Sequence, residues 1–256
     1  MTTDNQLVPI TWEGAAGEAI ALDFAPTDMA AVSGSSVGNG RGEIVVLVAP
    51  GSDVLSIDPG VGELLTAPGV RGARIALGAG AAWVSTDGTI IKVQPGEATP
   101  VRYTFETHRA DDPVLVIGNA LWVADPAGIV RMNLANGERS PRIPGPASAL
   151  VAAGGLVWAA QGTSLVGLDA DNGTVVRTAS LPSSASIIVA LATHGDIVWL
   201  ATEAGPDGPL LVGVDPATGR TVSLTPLSTT PVSIAVVGNQ VWTLDAAGHT
   251  GRFEPG

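Results

Sequence analysis

The sequence predicts an all-β chain: a six-bladed β-propeller of four-stranded antiparallel blades, with the last blade closed by the N-terminal strand. Three observations predict it. Five of the six tryptophans recur in one context at steps of 36–43 residues. A tight turn, usually led by glycine, precedes them, and a strand ending in Asp or another polar residue follows. A period of this length is that of a propeller blade, in which one supersecondary unit buries its faces only against its neighbours.

The tryptophans are Trp83, Trp122, Trp158, Trp199 and Trp242, at steps of 39, 36, 41 and 43 residues, in the strings GAGAAWVST, GNALWVAD, GGLVWAAQ, GDIVWLAT and GNQVWTLD. A sixth copy, GEIVVLVA, carries Val46 in the tryptophan slot. Each copy opens with an apolar run of small residues: Ala73–Leu77, Val114–Ile117, Ala149–Ala153, Ile187–Thr193 and Ser233–Val237. Small side chains suit the innermost strand, where strands crowd about an axis. Gly118-Asn119, Gly154-Gly155, Gly195-Asp196 and Gly238-Asn239 then supply hairpin turns that need positive φ. The Trp strand comes second, where an indole fills the wedge between blades. The third strand ends in SIDPGVGE, KVQPGEAT, MNLANGER, LDADNGTV or VDPATGRT, in which Asp and Pro open a turn and Gly relaxes its end. A fourth, more polar strand closes each unit, as at 174–180 and 221–225.

The last copy runs out near Phe253 after three strands, and the segment EAIALDF at 18–24 is a lone strand before the first full copy begins at Asp28. Joined, the two complete a sixth blade and remove exposed sheet edges. The domain boundaries that follow are an N-terminal extension over 1–17 and one propeller domain over 18–256.

Composition bounds the function classes. Apolar residues make up 45% of the 256 residues and charged ones 14%, enough to bury a core and too apolar for a disordered chain. The 33 glycines and 19 prolines punctuate the apolar runs as turn residues do. Without cysteine there is no disulfide and no thiolate metal site, and the compartment stays open. Lys92 is the only lysine, and the wealth of Ala, Gly and Val reads as a bacterial, GC-rich composition. A net charge of −12 disfavours nucleic acid and anionic membranes as partners. The start MTTDNQLVPITWEG has neither the basic nor the apolar region of a signal peptide, and no run is long enough to insert in a membrane.

The pattern G-x-x-x-W-V-A, as in Gly118–Ala124, with strand ends of the form D-P-x-T-G, as in Asp215–Gly219, resembles the NHL, YVTN and virginiamycin B lyase-like group of bacterial propellers. The resemblance runs from about Glu18 to Phe253. It implies the propeller architecture, and it leaves function open because such folds host many activities. The residues after the tryptophans do not form the Trp-Asp pair of WD repeats, and only Gly154-Gly155 supplies the glycine pair of kelch repeats. The lyase-like members of the group use several histidines converging on one face. Here only His108, His194 and His249 are present, in different parts of the repeat, with His194 at the end opposite the other two.

Two further motifs have local explanations. Gly34–Gly38 matches the nucleophile-elbow pattern G-x-S-x-G, but the GNGRG that follows makes a helix unfavourable, so a Gly/Ser hairpin loop is expected. Asp169, Asp171 and Asn172 resemble the start of a calcium loop, yet Gly173 falls one place early and Ser180 stands where a bidentate Glu is needed. An ordinary turn between the outer strands is expected there.

One set of residues points to a surface. The loops joining second and third strands share an end of the blade with the loops between blades. Asp53, Asp87, Asp125, Glu203, Asp207, Asp245, Glu106, Asp111 and Asp112 fall in these loops, with His108 among them in TFETHRADDP. The expectation is an acidic rim on which the propeller, as a non-catalytic platform, binds a protein, peptide or small ligand. The alternative is a metal-dependent, lyase- or lactonase-like enzyme whose carboxylates hold a divalent cation such as calcium or magnesium at the channel mouth. A third reading is the sensor domain of a larger anchored protein.

Overall fold

The computed structural model of the protein describes residues 6–7, 19–32, 44–49, 52–58, 63–67, 69–94, 99–194, 196–237 and 240–254. Every described element is a β-strand, and the chain divides into two compact units, residues 1–125 and 126–256. In the first unit β1 (Gln6–Leu7) pairs antiparallel with β2 (Ile20–Ala21). An antiparallel four-stranded sheet follows: β3 (Asp28–Val32), β4 (Ile44–Val48), β5 (Val54–Asp58) and β6 (Glu63–Ala67). A second comprises β7 (Arg74–Gly78), β8 (Ala81–Thr86), β9 (Thr89–Val93) and β10 (Val101–Thr104). The unit ends in a hairpin of β11 (Val114–Ile117) and β12 (Ala120–Asp125).

The second unit opens with β13 (Gly128–Asn133). It continues with two four-stranded meanders. The first is β14 (Ala149–Ala153), β15 (Leu156–Gln161), β16 (Ser164–Asp169) and β17 (Val175–Thr178). The second is β18 (Ile188–His194), β19 (Ile197–Thr202), β20 (Leu210–Val214) and β21 (Thr221–Pro226). A three-stranded sheet of β22 (Pro231–Val237), β23 (Gln240–Asp245) and β24 (Thr250–Phe253) completes it. The apolar runs, the Trp strands and the polar fourth strands thus occupy the elements their patterns predict, within about two residues. The Gly34–Gly38 loop lies outside the described residues.

Chain punctuation explains the hairpins. Gly154 and Gly155, at φ of 58° and 75°, make the primed turn whose twist matches the flanking strands. The departure from the four-strand pattern after β13 also has a local cause. After β13 the chain returns along it through bridges Met132↔Arg139 and Ile129↔Ile143 and not as a continuous strand. Pro141 stands between the bridges and has no N–H to donate. The hydroxyl of Ser140 accepts from Arg131 N at 3.1 Å.

The tryptophans sit in the second strand of their sheets, and Trp83, Trp122, Trp158 and Trp199 are at most 2% exposed. What lies directly across the third strand explains how the rings fit. Trp158 faces Gly167 and Trp199 faces Gly213, and a Cβ on either glycine would stand 3.1–3.3 Å from the ring. Where the partner is larger it is a cation laid over the ring: Lys92 on Trp83 at 5.7 Å and Arg252 on Trp242 at 5.9 Å. Trp242 is only half-buried.

Sheets stack through these faces. In the first unit Val54 and Val70 pack on Ile75, Val84 and Ile91. In the second unit Trp158, Ala160 and Leu165 pack on Ile188, Leu200 and Val212, and then Trp199, Ala201 and Leu211 on Ile234 and Val241. First strands lie beside first strands: β3 by β7 by β11, and β14 by β18 by β22. Each unit repeats one polar link between them. Thr27 Oγ1 donates to Ala73 O at 3.0 Å, and Ser148 Oγ donates to Ile188 O at 2.9 Å.

This packing makes unequal demands on the tryptophans. Trp158→Ala should destabilise the chain by roughly 3–5 kcal/mol through cavity formation. Trp242→Ala, at a half-buried site, should shift the urea midpoint visibly less. Equal shifts in the two variants would show that the rings are not the packing units inferred here.

Candidate functional site

The loops between second and third strands are built around one position, the third residue after the Trp slot. In the five copies that carry tryptophan it is Thr86, Asp125, Gln161, Thr202 or Asp245, all polar, and in the first copy, with Val46 in the slot, it is Ala49. Thr86, Thr202 and Asp245 are turned onto their own loops, and Gln161 and Asp125 onto the connection that precedes their hairpin. Thr86 Oγ1 donates to Thr89 O at 2.9 Å, and Gln161 Nε2 donates to Gly145 O at 2.9 Å. Thr202 Oγ1 accepts from Leu210 N at 3.1 Å and donates to Glu203 O at 3.0 Å. Asp125 accepts from Thr107 Oγ1. Asp245 accepts from Ala247 N and His249 N, both at 2.9 Å, and from His249 Nδ1 at 3.1 Å. These bonds to its carboxylate, the His249 backbone first, hold Asp245 below the usual carboxylate range.

Asp125 and Asp245 are therefore buried loop fasteners and not outward members of a rim. The sequence shows them as loop acids. The signal that would have separated them was their shared register with Gln161 and the two threonines.

The charged connection 105–113 is fastened in the same way. His108 is buried, which corrects the expectation of a surface histidine. Its Nδ1 donates to Ala124 O at 3.1 Å, and its Nε2 meets Ser85 Oγ at 2.6 Å. Ser85 Oγ also lies 2.9 Å from Ala110 O. Asp87 Oδ1 accepts from Ala110 N at 2.9 Å, and Asp112 Oδ2 accepts from Arg109 N at 2.8 Å. Arg74 Nε donates to Asp111 O at 3.2 Å, and Asp53 is paired with Arg71 at 3.1 Å. Glu106, Asp111, Glu203 and Asp207 have exposed side chains.

The structure thus brings Ser85, Asp87, His108, Asp112 and Asp125 together around one connection. Among the described residues no three His, Asp or Glu side chains converge as a metal site would require. The other end of the sheets is occupied by Asx turns. Asp169 Oδ1 accepts from Asp171 N and Asn172 N, and Asp215 Oδ1 accepts from Ala217 N. The calcium-like string at 169–173 is the ordinary turn expected, with an equivalent at 215–219.

No family model matches the chain, and no curated protein matches it. Among solved structures, the computationally designed Ika8 protein matches with a TM-score of 0.71 at 17% identity, over 100% of this chain and 82% of that one. The WD40 domain of Neurospora crassa Pan2 matches with a TM-score of 0.64 at 12% identity, over 82% of this chain and 72% of that one. The repeated antiparallel sheets and these likenesses fit a β-propeller. At such identities the likeness concerns the fold alone.

Burial holds His108 below its ordinary value near 6.5, against the opposite pull of the Ala124 carbonyl and of Asp112, Asp125 and Asp111. The folded chain thus resists a proton that the unfolded chain takes up. Its contribution is complete above pH 6.5 and is lost as the pH falls below that value toward the folded pKa. Unfolding free energy from urea titration should therefore fall between about pH 7.5 and pH 5.5, and the fall should be smaller in His108→Gln. An identical fall in the variant would remove His108 as its source.

Proposed function

We propose that the chain is a six-bladed propeller of the NHL, YVTN and virginiamycin B lyase-like kind. In this reading 18–24 completes the last blade, and the chain serves as a non-catalytic platform for a protein or peptide partner. The observation that carries the binding reading is the pattern at the loop end. Asp87, Asp112, Thr202 and Asp245 fasten loop backbone and Asp125 holds the Thr107 hydroxyl, while Glu106, Asp111, Glu203 and Asp207 are exposed on loops held in this way. Fixed loops lose little entropy when a partner docks. Exposed acids on a chain of net charge −12 favour a basic partner by steering its approach. The absence of basic patches expected from the composition leaves nucleic acid the weaker alternative.

Two experiments test this reading. The first is fluorescence anisotropy with a labelled nona-arginine peptide. Binding should weaken about tenfold in Asp111→Asn/Glu203→Gln/Asp207→Asn, chiefly through a slower on-rate, as loss of rim charges produces. It should hold in Glu138→Gln/Asp171→Asn/Asp196→Asn, which removes the same charge from the turn end. Equal weakening in both would reduce the effect to net charge. The second concerns closure. β2 pairs with β1 through one edge, and its other edge is the one proposed to meet β24. The chain has no cysteine, so Ala21→Cys/Arg252→Cys should form a single intramolecular disulfide under mild oxidation. Failure to form it while folded would argue against closure by this strand.

A further inference from the structure

The last sheet departs from the others at one cross-strand pair. The residue after the Trp slot and its partner on the third strand are Val84 and Ile91, Ala159 and Val166, and Leu200 and Val212 in three other sheets. All six are buried. In the first sheet the pair is Leu47 and Leu55. Val84 with Ile91, and Leu200 with Val212, fill the face on which their sheet packs against the one before it. In the last sheet the pair is Thr243 and Gly251. The apolar pair is missing there, although Ile234 and Val241 stay buried on the same face. Phe253 and Thr243 reach into the place that a Cβ on Gly251 would take, and beside them lies a cavity of about 220 Å³. Ser228 and Thr229 from the connection before β22 also line it, with Phe253, Asp245 and His249.

The chemistry of the lining is specific. Asp245 is buried, and its carboxylate accepts the Nδ1–H of His249 at 3.1 Å. A carboxylate only accepts, so the proton of the neutral imidazole is fixed on Nδ1 and Nε2 is left as an acceptor. The His249 side chain is 79% exposed, so this acceptor lies within reach of a solute. Ser228, Thr229 and Thr243 add hydroxyls that both donate and accept, and Phe253 adds an aromatic surface. The lining has no lysine or arginine, and the buried carboxylate disfavours an anion. The volume lies below the ~300 Å³ at which drug-sized pockets begin.

We propose that this cavity, formed by the last sheet and the connection that leads into it, is a binding site for a small neutral polyhydroxylated ring of monosaccharide size. Its C–H face lies on Phe253, and one of its hydroxyls donates to His249 Nε2. The site shares Asp245 with the fastened loops of the proposed platform, but its test changes none of the exposed acids Glu106, Asp111, Glu203 and Asp207 on which that reading rests.

Saturation-transfer difference NMR with glucose, galactose, mannose and arabinose tests it, with acetate and ethylammonium as charged probes of similar or smaller size. At least one sugar should give signals from its ring protons. His249→Leu changes an exposed side chain and should weaken that sugar about tenfold, the worth of one good hydrogen bond. Thr243→Ala/Gly251→Val copies the Ala159–Val166 pair, pushes the Phe253 ring from its place against Gly251 into the cavity and should abolish the signals while the sheet stays folded. Should the double variant fail to fold, His249→Leu decides alone. No signal from any sugar overturns the proposal, as do signals from the charged probes only. Undiminished binding in either folded variant overturns it too.

Discussion

The fit between a tryptophan on the second strand and the residue opposite it on the third is the constraint on which the other features rest. An indole lying on a strand needs its cross-strand neighbour to be absent or to cover it. Gly167 and Gly213 are the first solution, Lys92 and Arg252 the second. Once seated, the ring supplies one face of the sheet with a large apolar surface, and the next sheet packs there through Ile188, Leu200 and Val212 or through Ile234 and Val241. Stacking of this kind sets first strand beside first strand and makes the small residues of those strands necessary. It also fixes where the loops emerge, because the second strand ends three residues after the ring.

Those three residues connect the core to the surface. The ring fixes the register of the strand, so the residue at its end reaches the same point of each loop. A polar side chain there meets backbone groups that have left the ladder and have no strand partner. Thr86, Gln161, Thr202 and Asp245 satisfy them by different chemistry in the same place, and Asp125 receives the Thr107 hydroxyl there. The conformation of the loops is thus determined from below, by the core, and their outward residues vary without disturbing it. A scaffold with that division of labour suits recognition, since specificity sits on residues with no folding role.

Much of this was legible in the sequence. The tryptophan steps, the turn pairs and the Asp-led strand ends located the strands, because each is a local signal tied to a backbone conformation. Pro141 was legible too, yet its effect depended on which N–H the neighbouring strand required. What the sequence left open was the direction of side chains in loops. Asp111 and Asp112 are adjacent and chemically alike, but Asp112 turns onto Arg109 N while the side chain of Asp111 is exposed. His108 reads as a loop residue in a charged string. It is buried only because the connection folds back onto β8 and β12, where Ser85 and the Ala124 carbonyl receive both ring nitrogens. Such a reversal has no periodicity to announce it.

A repeat protein offers an internal comparison that a single domain lacks. Positions that every sheet fills alike report packing, because the same interface is being solved several times over. Positions where one sheet departs need another reason. Ser85 departs from Ala124, Ala160 and Ala201 at the second residue after the tryptophan, and the structure supplies the reason in His108, which its hydroxyl meets. Thr243 and Gly251 depart from a run of buried apolar pairs: Phe253 and Thr243 reach into the place that a Cβ on Gly251 would take, and a cavity lies beside them. Exchanging Leu and Val for Thr and Gly removes apolar area from an interface that the neighbouring sheets fill, at a cost that rises with the cavity left. A cost of that kind is tolerated where the space itself is used, so the least regular sheet of the second unit is where its specific chemistry is to be sought.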